Sequence, residues 1–228
     1  MKSSMVFFVL IVLFVFSGCS QTNTKKQKKE NTFNKKVGGG CEGCEAIYES
    51  PVPFEKLSNV DTLPDFNDAG PKIEISGIVY QKDGKTPAKD VVIYIYHTDQ
   101  KGVYPKRGDE KGWGKRHGYL RGWLKTDKKG IYKFYTQKPA AYPGRSDPAH
   151  IHITIKEPGL NEYWIDDYQF DDDPLLTTDK RKKLQNRGGI GIINLVSQEN
   201  GISQSSRNII LGLNVPDYPH SKIRIGAQ

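Results

Sequence analysis

Residues 150–155 read His-Ile-His-Ile-Thr-Ile, a strict alternation of polar and apolar side chains. In an extended chain, successive side chains point to opposite faces. His150, His152 and Thr154 therefore share one face, and Ile151, Ile153 and Ile155 share the other. The isoleucines call for a core behind the strand. The two imidazoles in front are spaced so that one metal ion can take a nitrogen from each. Two surface histidines are the plainer alternative. On either reading the stretch is a strand with one buried face, and the rest of the chain must build a sheet around it.

Strand signals recur from Lys72 onward. Ile73–Tyr80, Val91–His97, Leu120–Lys125, Ile131–Thr136, Ala149–Ile155 and Asn208–Val215 read as strands. Val91–His97 is almost continuously apolar or aromatic, as expected of a strand covered on both faces. Asp83-Gly84 and Thr126–Gly130 read as turns. Thr178–Asn186 reads as one short helix. The pattern predicts an all-β fold, a β-sandwich. A hydrophobic fraction of 36% with 26% charged residues suits a folded chain and is too polar for a multi-span membrane protein.

The N-terminal end has a different character. Met5–Phe16 is apolar without interruption, shorter than the roughly 20 residues of a bilayer span. It has the size of a signal-peptide apolar region. Ser17-Gly18-Cys19 follows and resembles the lipobox of bacterial lipoproteins. That resemblance makes 1–18 a lipoprotein signal peptide and Cys19 the lipidation site. It implies an extracytoplasmic protein anchored through lipid to a bacterial membrane, at the outer membrane or cell surface. An ordinary secretory signal or a short uncleaved anchor is the alternative.

Residues 19–37 then form a Lys-rich linker with too little apolar surface to repay ordering. Its lysines could also meet anionic headgroups. Of the net charge of +8, residues 25–36 carry +5 and Lys2 one more, leaving +2 for the remainder. A nucleic-acid-binding domain carries its charge on the folded part, so no nucleic-acid partner is expected.

Residues 38–70 form a lead-in segment containing Cys41 and Cys44. The pair is half a zinc site, a redox pair or a local disulfide. Outside the cytoplasm, a disulfide pinning a Gly-rich turn is the plainest of these. Residues 71–228 make up the β-sandwich domain.

Within that domain, Asp99–Tyr104 ends in Gly102-Val103-Tyr104. Arg121-Gly122, Thr126-Asp127, Gly130-Ile131-Tyr132, Phe134, Thr136, Pro139 and Tyr142-Pro143 follow in order. Pro148-Ala149-His150-Ile151-His152 comes next, then Phe170 and Asp173-Pro174. This series resembles the intradiol ring-cleavage dioxygenases, the catechol and protocatechuate enzymes. The resemblance implies an antiparallel β-sandwich of the intradiol dioxygenase type, similar to transthyretin (prealbumin). It implies a mononuclear non-haem iron(III), Fe(3+), held by Tyr104, Tyr142, His150 and His152. It also implies a catalytic role for Tyr142, displaced by substrate and helping to take a proton. The partners implied are a small aromatic diol and O2, the diol being cleaved between its hydroxyl-bearing carbons. No oligomeric state follows.

Two positions depart from the family pattern. Asp147 stands where the family has an arginine directly before Pro-Ala-His, and Asp167 stands where it has a glutamine. Arg145, two residues before Asp147, is then the candidate for the catalytic arginine. Two carboxylates beside an anionic diolate would repel it unless protonated or turned away. They motivate a second reading, a non-catalytic transthyretin-like surface module that binds carbohydrate or a partner and retains the metal site. Copper or zinc in place of iron is a third. Asp171–Asp173 lacks EF-hand spacing and reads as a solvated turn. Lys180–Lys183 reads as an exposed face and Gly188–Gly191 as a turn.

Overall fold

The fold follows from strands that bury every second side chain, seen here in a computed structural model that describes residues 36–219. The leader, Cys19 and nearly all of the linker lie outside the described residues. The strands are β1 (Val60–Thr62), β2 (Lys72–Tyr80), β3 (Val92–His97), β4 (Arg121–Lys125), β5 (Ile131–Gln137) and β6 (His150–Lys156). Shorter ones follow: β7 (Tyr163–Trp164), β8 (Tyr168–Phe170), β9 (Ile192–Ile193), β10 (Ser203–Ser206) and β11 (Ile209–Ile210). Helical pieces are few: 3-10 turns at Cys44–Glu49 and Phe54–Lys56, α1 (Gly114–His117) and α2 (Thr178–Lys183).

One sheet runs β1-β5-β2-β10, with β11 also on β2, and the other runs β4-β3-β6-β8-β9, with β7 on β6. The central pairings β2–β5, β3–β4, β3–β6 and β6–β8 are antiparallel. The outer pairings β1–β5, β10–β2, β11–β2 and β8–β9 are parallel. The sheets are therefore mixed rather than antiparallel throughout. None of these neighbours is joined by a short turn, and connections as long as these leave either direction open.

Both sheets feed one core. Ile73 and Ile75 of β2 and Phe134 of β5 pack in the same cluster as Ile93 and Ile95 of β3 and Ile151 and Ile153 of β6. Val37, at the end of the stretch read as linker, also belongs to this cluster, and its N–H donates to Asn161 Oδ1 at 2.8 Å. The outer face of β3 is covered as well. Val92 and Tyr94 pack with Ala46 and Ile47 of the lead-in and with Trp123, whose Nε1–H donates to the Ile47 carbonyl at 2.9 Å. The continuous apolar run of β3 is explained by these two coverings.

Two expected elements are shorter than the pattern suggested. Asn208–Val215 is a strand only at Ile209–Ile210, because Gly212 and Asn214 take positive φ values of 71° and 54° and turn the chain. Leu211 and Val215 are still buried, so apolar content there marks packing rather than extension. The helix ends at Lys183, and Asn186 takes a φ of 52°, outside the helical region. Among the described residues, no helix is long and apolar enough to cross a membrane.

A buried polar relay ties the two sheets together. His97 Nδ1 faces the Thr98 carbonyl at 2.7 Å, and its Nε2 meets Thr136 Oγ1 at 2.7 Å. Thr136 Oγ1 in turn contacts Asp65 Oδ1 at 2.9 Å. Burial holds His97 below the usual histidine range, although the Asp65 carboxylate pulls the other way. A Thr136→Val substitution leaves both ends unpaired in the core and is expected to cost about 2–4 kcal/mol in urea unfolding. Thr136→Ser keeps the hydroxyl and should cost clearly less. Equal losses for the two variants would reject the relay.

Candidate metal centre

β6 presents its two histidines in register with residues that hold them: His152 lies opposite Tyr96 of β3, and His150 opposite Gln169 of β8. The tyrosines arrive on loops. Tyr104 follows a tight turn in which Asp99 accepts from Gly102 N–H at 3.0 Å and its carboxylate caps Lys101 N–H at 2.8 Å. Gly102 takes a φ of 73°, and a Cβ there would collide with the Ala141 carbonyl oxygen. Glycine at this position lets the Tyr104 turn and the Tyr142 loop touch. The second loop is pinned to the same place by Ala140 N–H donating to Asp99 O at 3.1 Å and Thr98 Oγ1–H donating to Ala140 O at 2.7 Å.

The four predicted ligand side chains meet. Tyr104 Oη lies 2.9 Å from His152 Nε2, and Tyr142 Oη lies 3.3 Å from both His150 Nε2 and His152 Nε2. The two Nε2 atoms are 3.1 Å apart, and the two phenol oxygens are in hydrogen-bond contact. Bonds of about 2.0–2.1 Å to a shared ion put neighbouring donors about 2.9–3.4 Å apart. The four spacings that involve the histidine nitrogens fit one transition-metal ion.

The proton positions agree. His150 Nδ1–H donates to the Pro148 carbonyl at 2.7 Å, and His152 Nδ1–H donates to Asp167 Oδ1 at 3.2 Å. Each Nε2 therefore turns an unshared pair to the centre, the tautomer a metal requires. Burial, helped by His152, holds His150 below the usual histidine range. Burial also raises both phenols, Tyr104 further through Tyr142 beside it. The tyrosines stay protonated until a cation draws the protons off. Burial pushes Asp167 up, but the neighbouring His152 outweighs it and keeps the carboxyl below its ordinary range.

The donors open on a cavity of about 560 Å³. Its wall includes residues that the sequence did not single out. The Tyr96 ring stacks on His117 at 3.8 Å and on His152 at 4.4 Å, fixing the plane of the ligand imidazole. His117 accepts or donates through Nδ1 to Tyr94 Oη at 2.8 Å and is held by burial at about 3, hence neutral. Trp113, Arg116 and Glu42 complete that side. The parity of β3 could have placed Tyr96, but no sequence signal marks His117. Arg145 lines the cavity with its guanidinium 5.5 Å from the Tyr142 ring and its Nε 3.1 Å from Asp147 Oδ2. Cys41 and Cys44 are joined as a disulfide, on the loop beside Glu42.

Residues 55–200 match a family model described as Dioxygenase. The beta chain of protocatechuate 3,4-dioxygenase from Burkholderia cepacia is 28% identical over 116 residues, 48% of this chain and 49% of the relative. Catechol 1,2-dioxygenase 1 from Acinetobacter lwoffii is 31% identical over 139 residues, 54% of this chain and 43% of the relative. The chain thus spans about half the length of the curated relatives it matches. Among solved structures, the dioxygenase domain of a dioxygenase and carbohydrate-binding fusion from Streptomyces sp. SirexAA-E shares the fold. Its TM-score is 0.52 at 23% identity, over 71% of this chain and 94% of that one. Catechol 1,2-dioxygenase from Acinetobacter sp. ADP1 does so at 0.51 and 18%, over 67% of this chain and 56% of that one. The chain belongs to the intradiol dioxygenase family.

Asp167 is the acceptor that sets His152. Removing such a partner typically weakens metal binding about 10–100-fold. Asp167→Ala should show that loss in competition with a chelator, and Asp167→Asn, which keeps an acceptor, a smaller one. Unchanged affinity in both would remove Asp167 from the centre.

Proposed function

We propose that this protein is a non-haem iron(III) dioxygenase that cleaves an aromatic 1,2-diol between its two hydroxyl-bearing carbons with O2. The convergence of the Tyr104, Tyr142, His150 and His152 donor atoms carries the reading. Family membership supports it, as do the names of the curated relatives, a catechol and a protocatechuate dioxygenase. When bound, the ferric ion supplies the redox chemistry that joins a diol to O2. As phenolates, Tyr104 and Tyr142 answer two of its three charges, and His150 and His152 add neutral nitrogen.

The protein's own groups do the rest. Tyr142 is a part-buried oxygen donor lining the cavity, and it takes a proton from the incoming diol at its Oη. The Arg145 guanidinium lies near its ring, paired with Asp147. Tyr96 and Asp167 keep the His152 ring from turning. We further propose that the protein is tethered through Cys19 to a bacterial membrane and works outside the cytoplasm. The apolar run ending in Ser17-Gly18-Cys19 supports this, as does a disulfide suited to an oxidising compartment.

Iron-loaded protein should show a visible tyrosinate-to-iron charge-transfer band and consume O2 with catechol. Tyr142→Phe should weaken the band and lower turnover about 100-fold or more. Absence of both band and O2 uptake after iron reconstitution would overturn the reading. Elemental analysis of protein from its native host separates iron from copper or zinc.

A further inference from the structure

We propose that the cavity selects aromatic diols bearing a cationic side chain, of the alkylammonium class, over diols bearing a carboxylate. The inference rests on the reading of the centre as a diol-cleaving site and names which diols that site takes.

Space comes first. The cavity of about 560 Å³ shares Glu42, Tyr96, His152 and Asp167 with a second hollow of about 330 Å³, walled by the Cys41 loop and Trp164. Cavities of about 300–1,000 Å³ hold drug-sized ligands, so a single ring leaves room for a substituent.

The charges then decide its sign. Three carboxylates line the cavity, Glu42, Asp147 and Asp167, against two guanidiniums, Arg116 and Arg145. Both guanidiniums are matched: Arg116 Nη1 lies 2.6 Å from Glu42 Oε1, and Arg145 Nε lies 3.1 Å from Asp147 Oδ2. Asp167 meets only the N–H of an imidazole that is neutral when its Nε2 binds metal. Arg207 also acts on Asp167, but it lies outside the cavity lining and donates to the carbonyls of Asp166, Arg187 and Gly189. His117 is neutral and adds no positive charge. With diol bound, the ferric ion's charge would be answered by the Tyr104 phenolate and the two diol oxygens, Tyr142 having taken a proton.

A carboxylate on the ring would therefore find no free cation and would face Asp167. An ammonium finds one unmatched carboxylate, and its three N–H donors suit a cavity rich in acceptors. Asp147, directly before Pro148-Ala149-His150, occupies Arg145 and so leaves Asp167 without a guanidinium from the cavity wall.

The test is calorimetric titration of the iron-loaded full chain without O2, at low ionic strength. Four diols are compared: catechol, 4-ethylcatechol, 4-(2-aminoethyl)catechol and 3,4-dihydroxybenzoate. The aminoethyl diol should bind about 10-fold or more tightly than the benzoate and several-fold more tightly than its uncharged ethyl analogue, with both gaps shrinking in salt. Asp147→Arg should reverse the order of amine and carboxylate. Asp147 and Glu42 side chains are 49% and 73% exposed, so Asp147→Asn and Glu42→Gln are expected to fold, and each should narrow the preference. Carboxylate binding equal to or tighter than amine binding, with catechol still bound and cleaved, overturns this inference and leaves the diol-cleaving reading standing. Failure to bind any of the four overturns both.

Discussion

Two imidazole nitrogens with unshared pairs, 3.1 Å apart and both 3.3 Å from the Tyr142 oxygen, repel one another in the absence of a cation. The scaffold has to hold them there. β6 is anchored through Ile151, Ile153 and Ile155 in a core built by both sheets, so its front face cannot retreat. Pro148 and Asp167 take the two Nδ1 protons, and Tyr96 limits ring rotation. Gly102 lets the loop bearing Tyr104 press against the loop bearing Tyr142. A site arranged this way before its ion arrives loses little on binding it, which is what preorganisation means in energetic terms.

The departures from the family pattern take on different meanings in three dimensions. Asp167 faces the back of His152, where its negative charge strengthens a ligand. Asp147 neutralises the nearby Arg145 at the cavity rim. The first is part of the centre and the second part of its entrance. The repulsion expected from two stray carboxylates is thus reduced to one unmatched charge whose place is defined.

Most of the long strands and the shared face of His150 and His152 were legible because alternation is local, whereas Tyr104 and Tyr142 were singled out only by the family resemblance. Alternation in 150–155 sets which side chains share a face, and β2 through β6 begin and end within a residue or so of the runs that predict them. What was not legible depends on contacts between distant segments. The cover over Tyr94 and Trp123 comes from Ala46 and Ile47. The His117 ring reaches the site only because α1 sets it against Tyr96. Parallel pairing of β1 with β5, or of β10 with β2, leaves no trace in either strand alone. In Asn208–Val215, buried apolar residues imitate a strand because a packed turn and a strand need the same side chains.

The lead-in changes what counts as the folding unit. Val37 fills part of the main core, Ile47 seals the outer face of β3, and β1 extends the first sheet beside β5. A chain trimmed to start at the first long strand would bare Tyr94 and Trp123 and lose the cavity wall at Glu42 together with them. The segment that links the body to the N-terminal end is thereby also a side of the chamber in which the chemistry is proposed to occur. Residues 37–47 thus belong to the core and to the cavity wall at once, and trimming into them alters the candidate site.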